Sequence, residues 1–365
     1  MKIALIYNFA QHYRTNIFTL MDREMDIDFY FGDRYLNVKK MDYALLKNKV
    51  TEVRNIHLGP FVWQSSTAQL AWRNYDAFIM LGEPKCLSSW VILLLARILR
   101  KRVYFWTHGW YGREGLGKRI TKKLYFGLAN GIMLYGEYAR QLMIKQGFPA
   151  KKLTVIHNSL AYDIQVNLRK ELKSSSKYSN HFGNTYPNVV FVGRLTKEKK
   201  LHQILQAQSI CRKNNCLFNV TFIGDGTEEM ELKELVRQMK SEEYVWFYGP
   251  SYKEEELSQL LYDADLCVAP GNIGLTAMHA MTYGCPCISH NDFKWQMPEF
   301  EAIQENITGA FFEHDNIEDL ARVITNWFDR HQEDREEVRN ACYKEIEERW
   351  NPHRQLETIK KVIMA

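Results

Sequence analysis

The stretch ADLCVAPGNIGLTAMHAMTYGCPCISH, which spans residues 264–290, decides the fold of the second half of the chain. Residues 266–269 are a short apolar run typical of a buried parallel strand, and residues 270–272 interrupt it before a helical pattern begins. The helical pattern ends at residues 283–284, and residues 286–289 predict the next buried strand. The stretch therefore predicts a strand, a tight glycine turn, a helix and a second parallel strand.

The start of this predicted helix is a candidate anion site. The backbone N–H groups of Gly274, Leu275 and Thr276 are expected to lack partners within the helix and to point beyond the preceding strand. The partial positive charge of the helix end lies behind them, so a phosphate group is the expected ligand. An ordinary strand-to-helix turn without a ligand is the open alternative, because glycine-rich turns of this kind are common.

Length and composition indicate a globular protein with two domains. The chain has 365 residues, of which 46% are hydrophobic. Its longest unbroken apolar run, residues 90–96, is too short to cross a bilayer, and the opening MKIALIYNF does not resemble a signal peptide, so we expect a cytoplasmic protein. The seven cysteines form no CxxC pair. Residues 263–265 match the metal-binding DxD motif literally but are predicted to be a turn, so we expect no metal. We also expect no cofactor.

The net charge of +5 conceals two halves of opposite charge. Residues 1–180 contain 28 Lys and Arg against 13 Asp and Glu, whereas residues 181–365 contain 20 against 30. Within residues 97–123, nine basic residues accompany a single acidic one, and an apolar helix predicted at residues 90–99 adjoins them. This region either contacts an anionic membrane or a phosphate-bearing partner, or is only a solvated basic face. We expect no nucleic-acid partner.

Strands and helices alternate along both halves of the chain. This pattern predicts an α/β protein with two Rossmann-like, doubly wound domains that face a cleft. The first domain is predicted at residues 1–165 and the second at residues 188–345. Residues 166–187 are polar and nearly free of apolar periodicity, so they are predicted to be the linker. Residues 346–365 predict a C-terminal helix that packs back on the first domain.

Cations and an aromatic residue follow strands of the second predicted domain. Gly193 and Arg194 end one strand, and Lys199 lies a few residues further on. A guanidinium group and an ammonium group, together with a helix N-terminus, can neutralise a diphosphate without a metal. The alternative is that Arg194 and Lys199 are ordinary surface cations. Tyr248 lies at another strand end, where it can hold a nucleobase or pack in the core.

Four motifs in a fixed order produce a specific resemblance. They are GRLTKEK at residues 193–199, IGDG at 223–226, VWFYG at 245–249 and LLYDADLCVAPGNIGLTAMHAMTYGCPCI at 260–288. The series resembles the donor domain of GT-B glycosyltransferases of the family-4 type, which carry comparable motifs with comparable gaps. The resemblance covers residues 189–325 well and the N-terminal half of the chain loosely.

The resemblance implies a metal-independent GT-B enzyme whose co-substrate is a nucleotide-diphosphate sugar. In that family the residues matching Arg194 and Lys199 bind the nucleotide diphosphate. The residues matching Gly274, Leu275 and Thr276 contact phosphate through the backbone. The resemblance also implies that the anomeric configuration of the sugar is retained.

Two positions depart from the family pattern. The two family glutamates, eight positions apart, fall on Gly271 and His279. In the family the first contacts the donor sugar and the second usually binds the ribose hydroxyls. We expect His279 to bind a ribose hydroxyl through a ring nitrogen, with a satisfied core histidine as the alternative, and Asn272 to replace part of the sugar contact. Glu299 aligns with a glutamate that the family often places after a proline in this loop.

The candidate residues of the first domain also follow strands. His108 resembles, by its position, a histidine that the family sets near the donor sugar, and Glu83 ends the neighbouring strand. We expect the two to lie close together and to orient or deprotonate an acceptor hydroxyl. His12, Tyr13 and Arg14 are expected to face the acceptor, with Arg14 pairing with a lipid-linked pyrophosphate. A role as ordinary polar loop residues is equally open.

These observations predict an enzyme of the hexosyltransferase class. It would transfer a sugar to a glycan or a polyprenyl-diphosphate-linked glycan in surface polysaccharide assembly, at the inner face of the cell membrane. A GT-B epimerase or phosphorylase is one alternative, because it shares the cleft but not the acceptor. A catalytically degenerate homologue that binds nucleotide sugar as a partner subunit is the other, and the two replaced glutamates are its best support.

Overall fold

The computed structural model describes residues 1–34, 38–331 and 333–364 and divides into two compact units. The first unit comprises residues 1–161 together with the chain from Asn351 onward, and the second comprises the residues between these two segments. Each unit contains one main sheet in which the paired strands are parallel. Both units are therefore Rossmann-like, as the alternation of strands and helices predicted.

The strands are mostly rich in apolar residues, which is typical of parallel strands covered on both faces. In the first unit they are β1 (Ile3–Tyr7), β2 (Ile27–Gly32), β3 (Val50–Val53), β4 (Asn55–Leu58), β5 (Phe61–Gln64), β6 (Ala77–Leu81), β7 (Arg102–Thr107), β8 (Gly131–Leu134) and β9 (Leu153–Val155). In the second unit they are β10 (Asn188–Val192), β11 (Asn219–Ile223), β12 (Val245–Gly249), β13 (Leu266–Ala269), β14 (Cys287–His290) and β15 (Gly309–Phe312). Every residue of β1, β2, β11, β13 and β14 is buried.

Helices alternate with these strands. In chain order the α-helices are α1 (Thr15–Glu24), α2 (Leu87–Ile98), α3 (Leu116–Gly127), α4 (Glu137–Lys145), α5 (Tyr162–Arg169), α6 (Lys177–Phe182), α7 (His202–Lys213), α8 (Glu229–Gln238), α9 (Glu254–Asp263), α10 (Leu275–Thr282), α11 (Ile317–Arg330), α12 (Arg335–Glu348) and α13 (Pro352–Met364). The helices α5 to α12 lie in the second unit and the others in the first. None of the helices in the described part of the chain is long and apolar enough to cross a membrane.

The order of the strands defines one special point in each sheet. The first sheet has the order β3-β2-β1-β6-β7-β8-β9, and the second has the order β12-β11-β10-β13-β14-β15. In each sheet the first strand is central, the next strands are added on one side of it, and the later strands are added on its other side. The order therefore reverses between β1 and β6 and between β10 and β13. Ligands of doubly wound sheets bind outside the carboxyl ends of the strands at such a switch point.

Two apolar layers cover the faces of the first sheet. On one face, Phe18 of α1 and Ile359 of α13 are buried in the same cluster as Leu5 of β1. On the other face, Ile92 of α2 and Phe126 of α3 are buried in a second cluster. The antiparallel hairpin of β4 and β5 lies outside this sheet. The first unit thus includes helix α13, although that helix comes from the far end of the chain.

The observed boundaries differ from the predicted ones at two segments. Within residues 346–365, α13 begins at Pro352 and packs on α1 in the first unit, whereas the preceding residues belong to the second unit. Residues 166–187, predicted to be a linker, lie in the second unit and contain half of α5 and all of α6. Tyr178 explains the difference: it is 3% exposed, and its hydroxyl donates to the Leu260 carbonyl oxygen at 2.9 Å. Such short helices depend on tertiary packing, which local periodicity does not reveal.

Candidate functional site

In the second unit, the turns after β10 and β13 meet at the switch point. The Thr276 hydroxyl at the start of α10 donates a hydrogen bond to the Val192 carbonyl oxygen at 2.9 Å. The Gly271 N–H, in the turn after β13, donates to the Lys199 carbonyl oxygen at 3.0 Å. These bonds hold the loop after β10, which carries Arg194 and Lys199, against the N-terminus of α10.

Glycines permit the close packing of these turns. A Cβ atom on Gly224 would overlap the Gly193 carbonyl oxygen, and a Cβ atom on Gly226 would overlap the Leu195 carbonyl oxygen. Gly193 has a φ of 146°, in the region that favours glycine. The glycines of the IGDG motif therefore bring the turn after β11 into contact with the turn after β10.

Lys199 is the most enclosed cation of this site. Its Nζ donates to the backbone carbonyl oxygen and the side-chain Oδ1 of Asn272, at 2.7 and 2.9 Å. Burial lowers the pKa of Lys199 to about 8, although the negative charge of Glu299 opposes this effect. Glu299 is itself 1% exposed. Arg194 is exposed, and its positive charge also lowers the pKa of Lys199, so the two cations lie within electrostatic range of each other.

The position of the first family glutamate has no room for a side chain. A Cβ atom on Gly271 would overlap the Glu198 carbonyl oxygen, because the short turn Lys197–Lys199 lies over the turn after β13. The next residue, Asn272, uses its Oδ1 to accept the hydrogen bond from Lys199. One acceptor position of this oxygen is therefore occupied, and the contact of Asn272 with a sugar stays a prediction.

The N-terminus of α10 presents backbone donors. Gly274 precedes the helix with a φ of 55°, and no side chain caps it. A Cβ atom there would meet only the side chain of Met297, at 3.7 Å, so the site is not crowded. The first N–H groups of a helix have no acceptor within it, and the helix dipole makes their surroundings positive. Gly274, Leu275 and Thr276 thus offer the donors that a phosphate requires.

His279 is held by a carboxylate from another helix. Its Nε2 lies 2.9 Å from Oε1 of Glu254, the first residue of α9. The same oxygen accepts hydrogen bonds from the Tyr283 hydroxyl at 2.6 Å and from Gln165 Nε2 at 2.9 Å. Although burial opposes it, hydrogen bonding to these groups lowers the pKa of Glu254 to about 2. One ring nitrogen of His279 is therefore occupied, and a contact of Nδ1 with a ribose hydroxyl stays a prediction.

Tyr248, the predicted nucleobase contact, is partly buried in β12. Its hydroxyl donates to Glu256 of α9 at 3.4 Å, and its ring centroid lies 5.0 Å from that of Trp246. The Lys177 ammonium group of α6 lies 5.3 Å from the centroid of the Tyr248 ring. The ring is thus packed between side chains of two helices, and its contact with a base stays a prediction.

The first unit has a cavity of about 750 Å³ at its own switch point. Four of the candidate residues of this unit line it: Tyr13, Arg14, Glu83 and His108. His12 does not line this cavity; it is exposed, and its Nδ1 lies 3.3 Å from the Lys39 carbonyl oxygen. The topology therefore brings residues that follow β1, β6 and β7 to one place, as the strand ends predicted.

His108 and Glu83 bring different chemistry to this cavity. Nδ1 of His108 is buried and has no hydrogen-bond partner among the residues that the structure describes. Burial, assisted by the charges of Arg14 and Lys122, lowers the pKa of His108 to about 4, so the ring is neutral at pH 7. Glu83 is exposed, and its Oε1 accepts a hydrogen bond from the Lys85 N–H at 3.2 Å. A neutral imidazole and an accessible carboxylate thus share one cavity.

The residues of the literal DxD match, 263–265, have structural partners. Asp263 accepts hydrogen bonds from the N–H and the hydroxyl of Ser175, at 3.1 and 2.5 Å. Asp265 accepts a hydrogen bond from the Asn188 N–H at 2.8 Å. Within residues 1–34, 38–331 and 333–364, no group of three or more His, Cys, Asp or Glu side chains is placed to hold a metal ion.

Comparison with known proteins supports the resemblance of the second half of the chain. Residues 174–345 match the family described as glycosyl transferases group 1. The chain is 24% identical over 254 residues to an uncharacterized 41.2 kDa protein in the cps region of Klebsiella pneumoniae, which covers 69% of this chain and 61% of that protein. It is 26% identical over 193 residues to the amylovoran biosynthesis glycosyltransferase AmsK of Erwinia amylovora, over 50% of this chain and 43% of AmsK. The chain thus spans about half the length of the curated relatives it matches.

A solved structure identifies the fold. The crystal structure of HepE from Anabaena, in complex with UDP, is similar over 100% of both chains, with a TM-score of 0.74 and 18% identity. At this identity the likeness concerns the fold alone. The resemblance inferred from the four motifs is therefore confirmed: residues 174–345 match the group 1 glycosyltransferases, and the two units have the GT-B fold.

Proposed function

We propose that this protein transfers a sugar from a nucleotide-diphosphate sugar to a hydroxyl group of a glycan or lipid-linked glycan, during assembly of a surface polysaccharide. The observation that carries the proposal is the uncapped N-terminus of α10 beside Lys199 and Arg194. Backbone donors at a helix start and two nearby cations together suit a diphosphate, without a metal ion. The setting is supported by the match to AmsK, whose name places that protein in amylovoran biosynthesis.

The second unit binds the donor in this proposal. Lys199 and Arg194 neutralise the diphosphate, and the amides at the start of α10 bind its oxygens. Because Glu254 stays ionised and can only accept a hydrogen bond, Nε2 of His279 must carry the proton. In the neutral ring this fixes Nδ1 as an acceptor, which suits a ribose hydroxyl. Glu254 is thus a positioning residue for His279.

The first unit binds the acceptor and assists the chemistry. The bond between the sugar carbon and the diphosphate oxygen breaks, a bond to the acceptor oxygen forms, and the acceptor hydroxyl loses its proton. His108 and Glu83 are the groups that can accept this proton or orient the hydroxyl, because both line the cavity. Retention of the anomeric configuration completes the proposal and rests on the family resemblance.

A face of α3 suits an anionic membrane, where lipid-linked acceptors lie. Leu116, Ile120 and Leu124 repeat every four residues along this helix and are 74%, 52% and 62% exposed. The same helix carries basic residues next to them: Lys118, Arg119 and Lys123. An apolar stripe bordered by cations is typical of a helix that lies in a membrane interface. We place this face at the cytoplasmic side of the membrane.

Sedimentation with vesicles tests the membrane contact. Wild-type protein is expected to bind vesicles of phosphatidylcholine and phosphatidylglycerol at low salt. The double substitution Ile120→Gln and Leu124→Gln is expected to weaken binding at least tenfold. The reason is that two apolar side chains that become buried in the membrane contribute about 3 kcal/mol or more to the binding free energy. Met230→Gln, at a side chain of the second unit that is 76% exposed, is the matched control. Failure of the wild type to bind would count against the contact.

Calorimetric titration tests the donor site. UDP, GDP, CDP and ADP are titrated separately, and one of them is expected to bind. Arg194→Ala should weaken that binding about 10- to 100-fold, as expected for loss of a charged hydrogen bond of about 1.5–3 kcal/mol. Lys197→Ala, at an exposed lysine of the same loop, is the control. Absence of binding by all four nucleotides, or an Arg194→Ala protein that binds normally, would contradict the proposal.

A degenerate homologue that binds nucleotide sugar without turnover is the specific alternative. It is favoured by the absence of a side chain at Gly271 and by the carboxylate that holds His279. The two functions, sugar transfer and nucleotide-sugar binding without turnover, are distinguished by an assay with glycan and lipid-linked acceptors supplied in separate mixtures. The assay measures the release of nucleoside diphosphate from the nucleotide sugar whose nucleotide binds. Tight binding with no release in any of these mixtures would favour the alternative.

A further inference from the structure

We infer that Arg14 binds an oxyanion of the acceptor, either a phosphate or a carboxylate group, inside the cavity of the first unit. The inference rests on the proposed function, because it names the chemical class of the acceptor for the same reaction. Arg14 lies directly before α1, in the loop that follows β1, and its side chain lines the cavity. Among the described residues, no carboxylate forms an ion pair with it.

Arg14 is a buried cation with unused hydrogen-bond donors. The residue is 5% exposed. Nη2 donates to the Tyr135 hydroxyl, whereas Nε and Nη1 have no hydrogen-bond partner among the described residues. In that same part of the chain, no ion pair joins its guanidinium group to an Asp or Glu within 4.0 Å. Because arginine stays protonated in proteins, the cavity wall holds a positive charge that lacks its counter-charge.

Aromatic rings fix the guanidinium group in place. Its Cζ lies between 5.2 and 5.8 Å from the ring centroids of four residues: Tyr7, Tyr13, Trp106 and Tyr135. The hydroxyls of Tyr7 and Tyr135 also lie 3.1 Å apart. Ring faces attract a cation, but they supply no oxygen to Nε or Nη1. The rings therefore orient the donors of Arg14 and leave them free for an oxyanion.

Neighbouring groups support the same ligand. Trp106 Nε1, a donor next to Arg14, is also buried without an acceptor in the described chain, and buried donors are otherwise almost always paired. Among the described residues that line the cavity, three have basic side chains, namely Arg14, Arg34 and Lys85, and one, Glu83, has a carboxylate. The cavity therefore has an excess of positive charge. Such a surface favours an acceptor with negative charge.

Two kinds of acceptor carry such an oxyanion. A lipid-linked glycan has a diphosphate next to its lipid, and apolar residues of the same wall, including Ile6, Met80 and Ile92, suit the first part of a lipid chain. An acidic glycan has a carboxylate on a sugar ring. Both present oxygen atoms that accept hydrogen bonds from a guanidinium group. The test must therefore compare the two sources.

Calorimetry with small anions tests the inference. Geranyl diphosphate and methyl glucuronide are titrated into wild-type protein and into Arg14→Lys, Arg14→Gln and Arg23→Gln proteins. Arg23 is the matched control, because it lies on α1 with a side chain that is 64% exposed. We expect at least one ligand to bind, with a loss of tenfold or more in Arg14→Gln, a smaller loss in Arg14→Lys and less than a twofold change in Arg23→Gln. The ligand that binds more tightly identifies the source of the oxyanion.

A variant in the other unit keeps this test separate from the donor site. Arg194→Ala should not change the binding of the preferred ligand, because Arg194 belongs to the second unit. Binding that Arg194→Ala abolishes and Arg14→Gln leaves intact would overturn the inference, and so would the absence of binding by both ligands. Failure of all nucleotides to bind would refute the proposed donor site but would not alter the result at Arg14.

A diffraction experiment covers the case in which Arg14→Gln does not fold. Crystals of the wild-type protein are soaked in tungstate, an analogue of phosphate with a strong anomalous signal. The expected result is an anomalous peak within hydrogen-bond distance of Nε or Nη1 of Arg14. Tungstate found elsewhere in the molecule but absent from this cavity would show that Arg14 has only a structural role.

Discussion

The two units have the same doubly wound topology, yet they present different chemistry at their switch points. In the second unit the site is built from glycine turns, the N-terminus of α10 and two cations. In the first unit it is built from side chains: Arg14 among aromatic rings, with His108 and Glu83 in the same cavity. Under the proposed function, the topology determines where each unit binds a ligand, and the residues after the strands determine which ligand it binds.

Replacing His108 by Ala is the strongest test of this division. We expect kcat to fall about 10²- to 10⁴-fold, the usual contribution of a positioned acid–base group. The dissociation constant of the nucleotide should not change, because His108 belongs to the first unit. Rates of nucleoside diphosphate release and calorimetry measure the two quantities. If kcat and the affinity for the nucleotide fell by the same factor, the two units would not divide donor binding and chemistry as proposed.

The affinity for the nucleotide should depend on pH through Lys199. The pKa of Lys199 in the free protein is about 8, and the diphosphate needs its charged form. Binding therefore raises this pKa, so the dissociation constant should be constant below about pH 7 and rise by up to tenfold per pH unit above about pH 8. Lys199→Arg, which stays charged, should remove the dependence. A wild-type profile that is flat to pH 10 would show that Lys199 does not bind the diphosphate.

A methyl group at Gly271 should destabilise the second unit. Its Cβ atom would overlap a backbone oxygen, so Gly271→Ala is expected to cost about 1–3 kcal/mol of unfolding free energy. Gly117→Ala, in α3, has no atom within 4 Å of the new Cβ atom and should change stability by no more than about 1 kcal/mol. Urea unfolding followed separately for each unit measures both. Equal stability of Gly271→Ala and wild type would mean that this turn can move to admit a side chain.

Glu254→Gln should have the smallest effect. A glutamine can bond to His279 through either its oxygen or its nitrogen, so it no longer fixes which ring nitrogen carries the proton. We expect the preference for a ribonucleotide over its 2′-deoxy analogue to fall about 2- to 10-fold, the contribution of one hydrogen bond. Titration of both nucleotides into both proteins measures the preference. An unchanged preference would show that His279 does not contact the ribose.

The elements that carry the candidate donor site of the second unit were predictable from the sequence because their signals are local. The apolar run at 266–269 is the observed strand β13, Leu266–Ala269, and Gly274 precedes the observed helix α10. Glycine, proline and apolar periodicity mark such elements directly. The cost of a Cβ atom at Gly271 was not predictable, because the Glu198 oxygen that fills the space comes from another loop.

The candidate site of the first unit was predictable only in part, because the residues that contact one another there are far apart in the chain. The positions of His108 and Glu83 followed from the strand ends, which lie along one edge of a parallel sheet. The partner of Arg14, Tyr135, is 121 residues away, and the glutamate that holds His279 in the second unit is 25 residues away. No local pattern relates such residues. Distant contacts also explain why α5 and α6 were predicted to be part of a linker. These helices are stabilised by packing against residues far away in the chain.

Hydrogen exchange with mass spectrometry tests the central claim most directly. Exchange is compared with and without the nucleoside diphosphate that binds in calorimetry. We expect slower exchange in residues 193–200 and 271–282, which contain the loop after β10 and the start of α10, and no change in residues 102–110 of the first unit. Protection confined to the first unit, or no protection in residues 271–282, would contradict a donor site at the second switch point.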